Sequence, residues 1–166
     1  MKRIAIIVIV ALVLAAGLSA QAVTEDKDVK TLSVDVEGRA KAGLLAGMPS
    51  GLTVGYRLSN WFEVNATAGY NFIIEDAVVL SANGLFTLVN IPAGEIGVLP
   101  LSVGPQVNFL FNDGVSVQLV GDVRVEYTFE DIPLNLFVEG GFGFEFNDPN
   151  DEWIAWNGGI GARYVF

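Results

Sequence analysis

Twelve charged side chains recur at alternate positions along extended stretches of this chain, and they are the residues best placed to do chemistry. Five are basic: Arg39, Lys41, Arg57, Arg124 and Arg163. Seven are acidic: Asp35, Glu37, Glu63, Asp122, Glu126, Glu139 and Glu145. Two carboxylates on one face, such as Glu139 and Glu145, are the raw material of general acid and base catalysis. The same carboxylates opposite guanidinium and ammonium groups instead make a salt-bridge network, which positions chains but transforms nothing. The rest of the composition favours the second reading. The chain has no histidine, so it lacks the commonest general base and the usual zinc ligand. It has no cysteine, which excludes disulfides and thiolate metal sites. A non-enzyme without metal or cofactor is expected.

What positions these charges is a period of two. Side chains alternate across an extended strand, so two faces of different character show as alternation in sequence. Eight such stretches are expected, over 31–46, 51–58, 61–72, 78–89, 99–111, 115–129, 134–146 and 152–166. The sixth is the clearest: Val115, Val117, Leu119, Val123, Val125, Tyr127 and Phe129 oppose Ser116, Gln118, Asp122, Arg124, Glu126 and Thr128. Asn112-Asp113-Gly114 is a hairpin signal. A connection spans 90–98. Pro105 lies inside the fifth stretch without a donor for the ladder, so it marks a bulge or a break.

The chain opens with Lys2 and Arg3, an apolar run from Ile4 to Leu18, and small residues around Ser19 to Ala22. That is the three-part pattern of a secretory signal peptide. The domain reading is therefore a signal peptide at 1–22, a short periplasmic segment at 23–30 and a barrel over 31–166. Loss of Lys2 and Arg3 leaves all 19 acidic residues and lowers the formal charge from -10 to -12. Such a surface repels phosphate backbones, so nucleic acid is not an expected partner. After the leader no apolar run reaches the roughly 18 residues of a spanning helix.

Alternation alone fits a soluble sandwich with its apolar face inward or a membrane barrel with its apolar face outward. Three features favour the barrel. The stretches exceed the roughly 5 to 6 residues typical of strands and match the roughly 9 to 11 of a tilted membrane strand. Aromatic residues (Tyr56, Phe62, Tyr70, Phe72, Phe111, Tyr127, Phe129, Phe146, Tyr164 and Phe166) cluster near the ends of the apolar faces, as interfacial girdles do. Glycines such as Gly55, Gly141, Gly143, Gly159 and Gly161 thin the charged face and leave room for long ionic side chains. The expected fold is all-β: an eight-stranded antiparallel up-and-down transmembrane β-barrel.

The leader, the alternating strands and the terminal Ala162-Arg163-Tyr164-Val165-Phe166 resemble the small eight-stranded outer-membrane β-barrel proteins of Gram-negative-type bacteria, the OmpA/OmpX/OmpW-like barrels. The segment from Arg124 to Gly141 is similar to the strand-turn-strand near the end of such barrels. The resemblance implies a bacterial outer-membrane location. It implies that Ile160, Tyr164 and Phe166 form the signal read by the barrel-assembly machinery. It further implies periplasmic chaperones, membrane lipid and lipopolysaccharide-type lipid as partners, and a monomer. An even strand count puts both termini in the periplasm. The expected outer loops (47–50, 71–77, 112–114 and 147–152) are short for the family, which weakens an adhesin role.

An eight-stranded barrel is just wide enough for side chains to fill. A structural barrel with an ion-paired lumen leads. A narrow cation-preferring channel or small-solute pore, and a secreted lipocalin-like ligand-binding barrel with reversed faces, stay open. Asn147-Asp148-Pro149-Asn150-Asp151 lacks calcium-loop spacing and reads as an acidic turn; Gly158 to Gly161 precedes no helix and is no phosphate loop.

Overall fold

The computed structural model describes residues 39–73, 76–94, 97–146 and 153–166. The signal peptide, the segment 23–30, the first half of the first expected strand with Asp35 and Glu37, and the acidic turn 147–151 lie outside the described residues.

Eight strands form: β1 (Ala40–Met48), β2 (Ser50–Ser59), β3 (Phe62–Asn71), β4 (Ala77–Pro92), β5 (Val98–Phe111), β6 (Val115–Thr128), β7 (Leu134–Phe146) and β8 (Ile154–Val165). Each pairs antiparallel with the next, and β8 returns to β1 through pairs such as Leu44 with Ala162. The result is a closed up-and-down barrel. Closure gives every strand a partner on both sides and leaves no edge exposed. No described helix is long and apolar enough to cross a membrane, which has no bearing on a barrel.

Burial follows the alternation, and it is inverted relative to a water-soluble core. Leu44, Leu52, Val138 and Ile160 on the outside are each more than half exposed, whereas Arg124 and Arg163 are 2% and 0% exposed. Aromatic rings gather at both ends of the outer wall. At the end carrying the C-terminus, Trp61, Phe62 and Phe86 stack with centroids 4.8 to 5.8 Å apart, and Tyr164 lies 4.9 Å from Phe166. At the other end Tyr70 lies 4.7 Å from Phe72.

Three local expectations change. The connection expected over 90–98 is mostly ladder, because Ile91 pairs with Leu99 and Pro92 with Val98. The ladder runs as far as Pro92 and resumes at Val98, and Gly94 (φ 64°) and Gly97 (φ 107°) take left-handed conformations that a side chain would strain. Pro105 marks neither a break nor a bulge. It stays within β5, paired with Gly121 of β6, while pairing to β4 lapses between Asn83–Gln106 and Phe86–Val103 without a change of register. A strand tolerates one missing donor when the opposite neighbour still holds it. The register shift falls instead between Thr87 and Val89. Finally, the lumen is not purely polar: Leu45, Val79, Leu85, Leu110, Val120, Phe137 and Ala155 are buried inside it.

Candidate functional site

The lumen of the barrel is a three-layered stack of side chains. Alternation sends one residue in two inward from each strand, and the register decides which of them meet.

The layer nearest the chain terminus is ionic. Lys41 comes from β1, Arg57 from β2, Glu63 from β3, Arg124 and Glu126 from β6, Glu139 from β7 and Arg163 from β8. Glu63 and Glu126 are its hubs. Glu63 Oε2 accepts from Lys41 Nζ at 2.6 Å and from Arg57 Nη2 at 3.0 Å; its Oε1 accepts from Arg163 Nη1 at 3.0 Å. Glu126 accepts from Lys41 Nζ at 3.1 Å, from Arg163 Nη2 at 2.8 Å and from Arg57 Nη2. Arg124 grips Glu139 Oε2 through Nε at 2.9 Å and Nη2 at 2.5 Å, and its Nη1 lies 3.5 Å from Glu63. All these side chains are at most 9% exposed. In so dry a place attraction between opposite charges is strong, and so is the cost of leaving one unpaired.

Phe137 belongs to this layer. Its ring lies 4.6 Å from the Arg163 guanidinium carbon and 4.7 Å from that of Arg124, so two cations flank one aromatic face system. The ring occupies the space over Gly161: a Cβ there would fall 2.2 Å from Phe137 Cζ. Phe137 and Gly161 are cross-strand partners, so the glycine makes the pocket for the ring.

Above the ions lies a chain of carboxamides. Arg163 Nη1 donates to Asn65 Oδ1 at 2.7 Å, Asn65 Nδ2 to Asn83 Oδ1 at 2.9 Å, and Asn83 Nδ2 to Gln106 Oε1 at 3.0 Å. Gln106 Nε2 then donates to Asn108 Oδ1 at 2.7 Å, Asn108 Nδ2 to Gln118 Oε1 at 3.0 Å, and Gln118 Nε2 to Glu145 Oε2 at 2.7 Å. Furthest from the terminus Ala77, Val79 and Leu110 form an apolar cluster, with buried Asn71 and Ser116 paired beside Ala77 and Leu110.

The structure therefore sorts the charges read from the sequence. Lys41, Arg57, Glu63, Arg124, Glu126, Glu139 and Arg163 meet in one cluster. Asp122 and Glu145 line the lumen outside it and enter no ion pair among the described residues; Asp122 takes Asn83 Nδ2 at 3.2 Å and Glu145 takes Gln118. Arg39 is half-buried and joins no ion pair among the described residues. Asp35 and Glu37 lie outside them. Glu139 and Glu145 stand six residues apart on β7, roughly 20 Å along the strand, too far to serve one scissile bond. Ile160, Tyr164 and Phe166 are exposed on the outer wall. The amides of the second layer and Phe137 were visible as members of the polar face, but only register shows that they touch.

No protein-family model matches the chain, and no curated protein sequence matches it. Among solved structures the barrel is similar to the N-terminal β-barrel domain of Pseudomonas aeruginosa OprF, with a TM-score of 0.48 and 14% identity over 77% of this chain and 96% of that one.

Proposed function

We propose that this chain is a structural barrel of a bacterial outer membrane, held in lipid by its outer wall and closed by its ion-paired lumen. The observation that carries the proposal is the inversion of the two faces. Leucine, valine and isoleucine cover the outside, and four cations with three carboxylates form an ionic cluster inside. A soluble protein rarely leaves more than a few hundred Å² of contiguous apolar surface in water. A membrane barrel needs such a band, with aromatic rings at its two interfaces.

Export, assembly and lipid contact complete the proposal. Residues 1–22 direct export, and residues 23–30 lie in the periplasm with both termini. The outward stripe Ile160, Tyr164 and Phe166 on β8 is what the assembly machinery and periplasmic chaperones recognise. Acyl chains and lipopolysaccharide-type lipid are the standing partners, and the barrel works as a monomer. The buried ionic cluster supports a structural role over conduction, since an ion crossing that layer must displace paired charges.

Fractionation of the host cell tests the proposal. The protein should be found in the outer-membrane fraction, resist extraction without detergent, and run faster on a gel unheated than boiled. A soluble band with no heat shift would contradict it, and steady unit conductance from planar bilayers would replace the closed lumen with a channel.

A further inference from the structure

Asp122 is 1% exposed and spends only one of its oxygens. Oδ2 accepts from Asn83 Nδ2 at 3.2 Å, while Oδ1 receives no hydrogen bond. Its neighbour along β6, Arg124, binds Glu139 through Nε and Nη2, its Nη1 makes no hydrogen bond and lies 3.5 Å from Glu63, and no described cation forms an ion pair with Asp122. Two strands away, Asn157 Oδ1 is also buried and without a partner.

The register brings these two oxygens to one level. Asp122 pairs with Gly141, and Gly141 pairs with Asn157. Asn157 leans over the glycine between them: a Cβ on Gly141 would fall 2.4 Å from Asn157 Oδ1 and 2.5 Å from Val120 Cγ1. That lean covers one strand spacing and leaves about one more, roughly 4.8 Å, to the Asp122 strand. Two buried oxygens without hydrogen-bond partners thus stand on the two strands that flank Gly141. Buried polar atoms are rarely left so, and an oxygen pair of this kind calls for a positive particle.

We propose that Asp122 Oδ1 and Asn157 Oδ1 hold a small hard monovalent cation of the sodium class over Gly141. Oxygen donors from a carboxylate and a carboxamide suit a hard ion rather than a soft one. One carboxylate matches one positive charge, and a divalent ion would bring a second charge into a dry lumen without an anion to meet it. The missing side chain of Gly141 is what lets the Asn157 amide and the Val120 methyl lean over this strand.

The test uses the full chain folded in detergent micelles. Its thermal midpoint is read in sodium chloride and in N-methylglucamine chloride at equal ionic strength, together with the sodium-23 NMR linewidth. Sodium should raise the midpoint of the natural protein and broaden the line. Asp122→Asn and Gly141→Ala should remove both effects, while Asp113→Asn, in the exposed 112–114 turn, should keep them. Should both lumen variants fail to fold, the natural protein alone decides: the broadening must saturate with sodium and be reversed by excess lithium. Equal midpoints in the two salts without broadening would overturn the site, and the Asn157 amide would then turn its Nδ2 toward Asp122. A midpoint that follows pH but not sodium would overturn it in favour of a proton on Asp122. Stabilisation by calcium in place of sodium would overturn it as well.

Discussion

Arg163 and Glu145 are the two ends of one hydrogen-bonded chain. Between the guanidinium on β8 and the carboxylate on β7 stand five carboxamides, Asn65, Asn83, Gln106, Asn108 and Gln118, each accepting from the one before and donating to the next. A guanidinium only donates and a carboxylate only accepts, so the two ends fix the direction of every amide. Bonds aligned head to tail polarise one another in a dry interior.

The chain should fail at its middle. Gln106→Leu removes the donor to Asn108 Oδ1 and the acceptor for Asn83 Nδ2, which keeps only Asp122. A buried group left unsatisfied costs about 1–3 kcal/mol. Urea unfolding of the protein in lipid vesicles should show a lower midpoint at unchanged slope. A variant as stable as the natural protein would mean that the amides are only space-filling.

Arg124→Leu should be worse, because it strands the Glu139 carboxylate in a dry layer. Breaking one side of a buried pair costs about 3–5 kcal/mol, whereas replacing both sides with apolar groups is often neutral. The double variant Arg124→Leu/Glu139→Leu should therefore recover much of the loss, and Asp113→Asn in the exposed turn should lose nothing. Heated and unheated gel mobility across a temperature series reads all three. Equal melting of Arg124→Leu and Asp113→Asn would contradict a paired lumen.

Gly161→Ala probes the packing of Phe137 beneath the two guanidiniums. The new methyl would meet the ring at 2.2 Å and the Leu44 carbonyl oxygen at 2.8 Å. Neither the ring nor the strand can give way freely, so a loss of about 1–3 kcal/mol is expected from overpacking. Adding Phe137→Leu should restore part of it by clearing the ring. If the double variant is no more stable than Gly161→Ala alone, the close approach of β1 to β8 is the whole constraint.

On the outer wall, Val138→Arg separates lipid from water. Val138 is 58% exposed and pairs with Ile160 near mid-height. In water an arginine there would be nearly neutral, since it removes no contact. Facing the middle of a bilayer it costs about 2–4 kcal/mol. Refolding yield into vesicles should fall accordingly.

The faces of this barrel were legible in the sequence because alternation is a local property. Trp156, Ile160 and Tyr164 against Asn157 and Arg163 announce which side of β8 is apolar before any neighbour is known. Contacts inside the lumen were not legible, because they depend on stagger between strands. Glu63 and Arg163 are 100 residues apart and meet across the barrel, not along a ladder. Asp122 and Arg124 look alike as members of the polar face, yet one lies among ions and the other among amides. Runs without alternation hid the apolar lumen residues: in Ala77-Val78-Val79-Leu80, nothing local marks Ala77 and Val79 as the inward pair. Pro92 and Pro105 read as interruptions because a missing donor is visible in sequence, whereas the partner strand that tolerates it is not.

The lipid-facing outer wall is the central claim, and the tryptophans report on it directly. Trp61, Trp153 and Trp156 are all exposed on the outside, at 58%, 59% and 51%. Their fluorescence should be measured after folding into vesicles, with quenching by lipids brominated along the acyl chain compared with quenching by aqueous acrylamide. The brominated lipids should quench strongly, Trp156 by itself included when Trp61 and Trp153 are replaced by phenylalanine, and acrylamide should quench weakly. Strong acrylamide quenching with no response to brominated lipid would put the outer wall in water and contradict the membrane barrel.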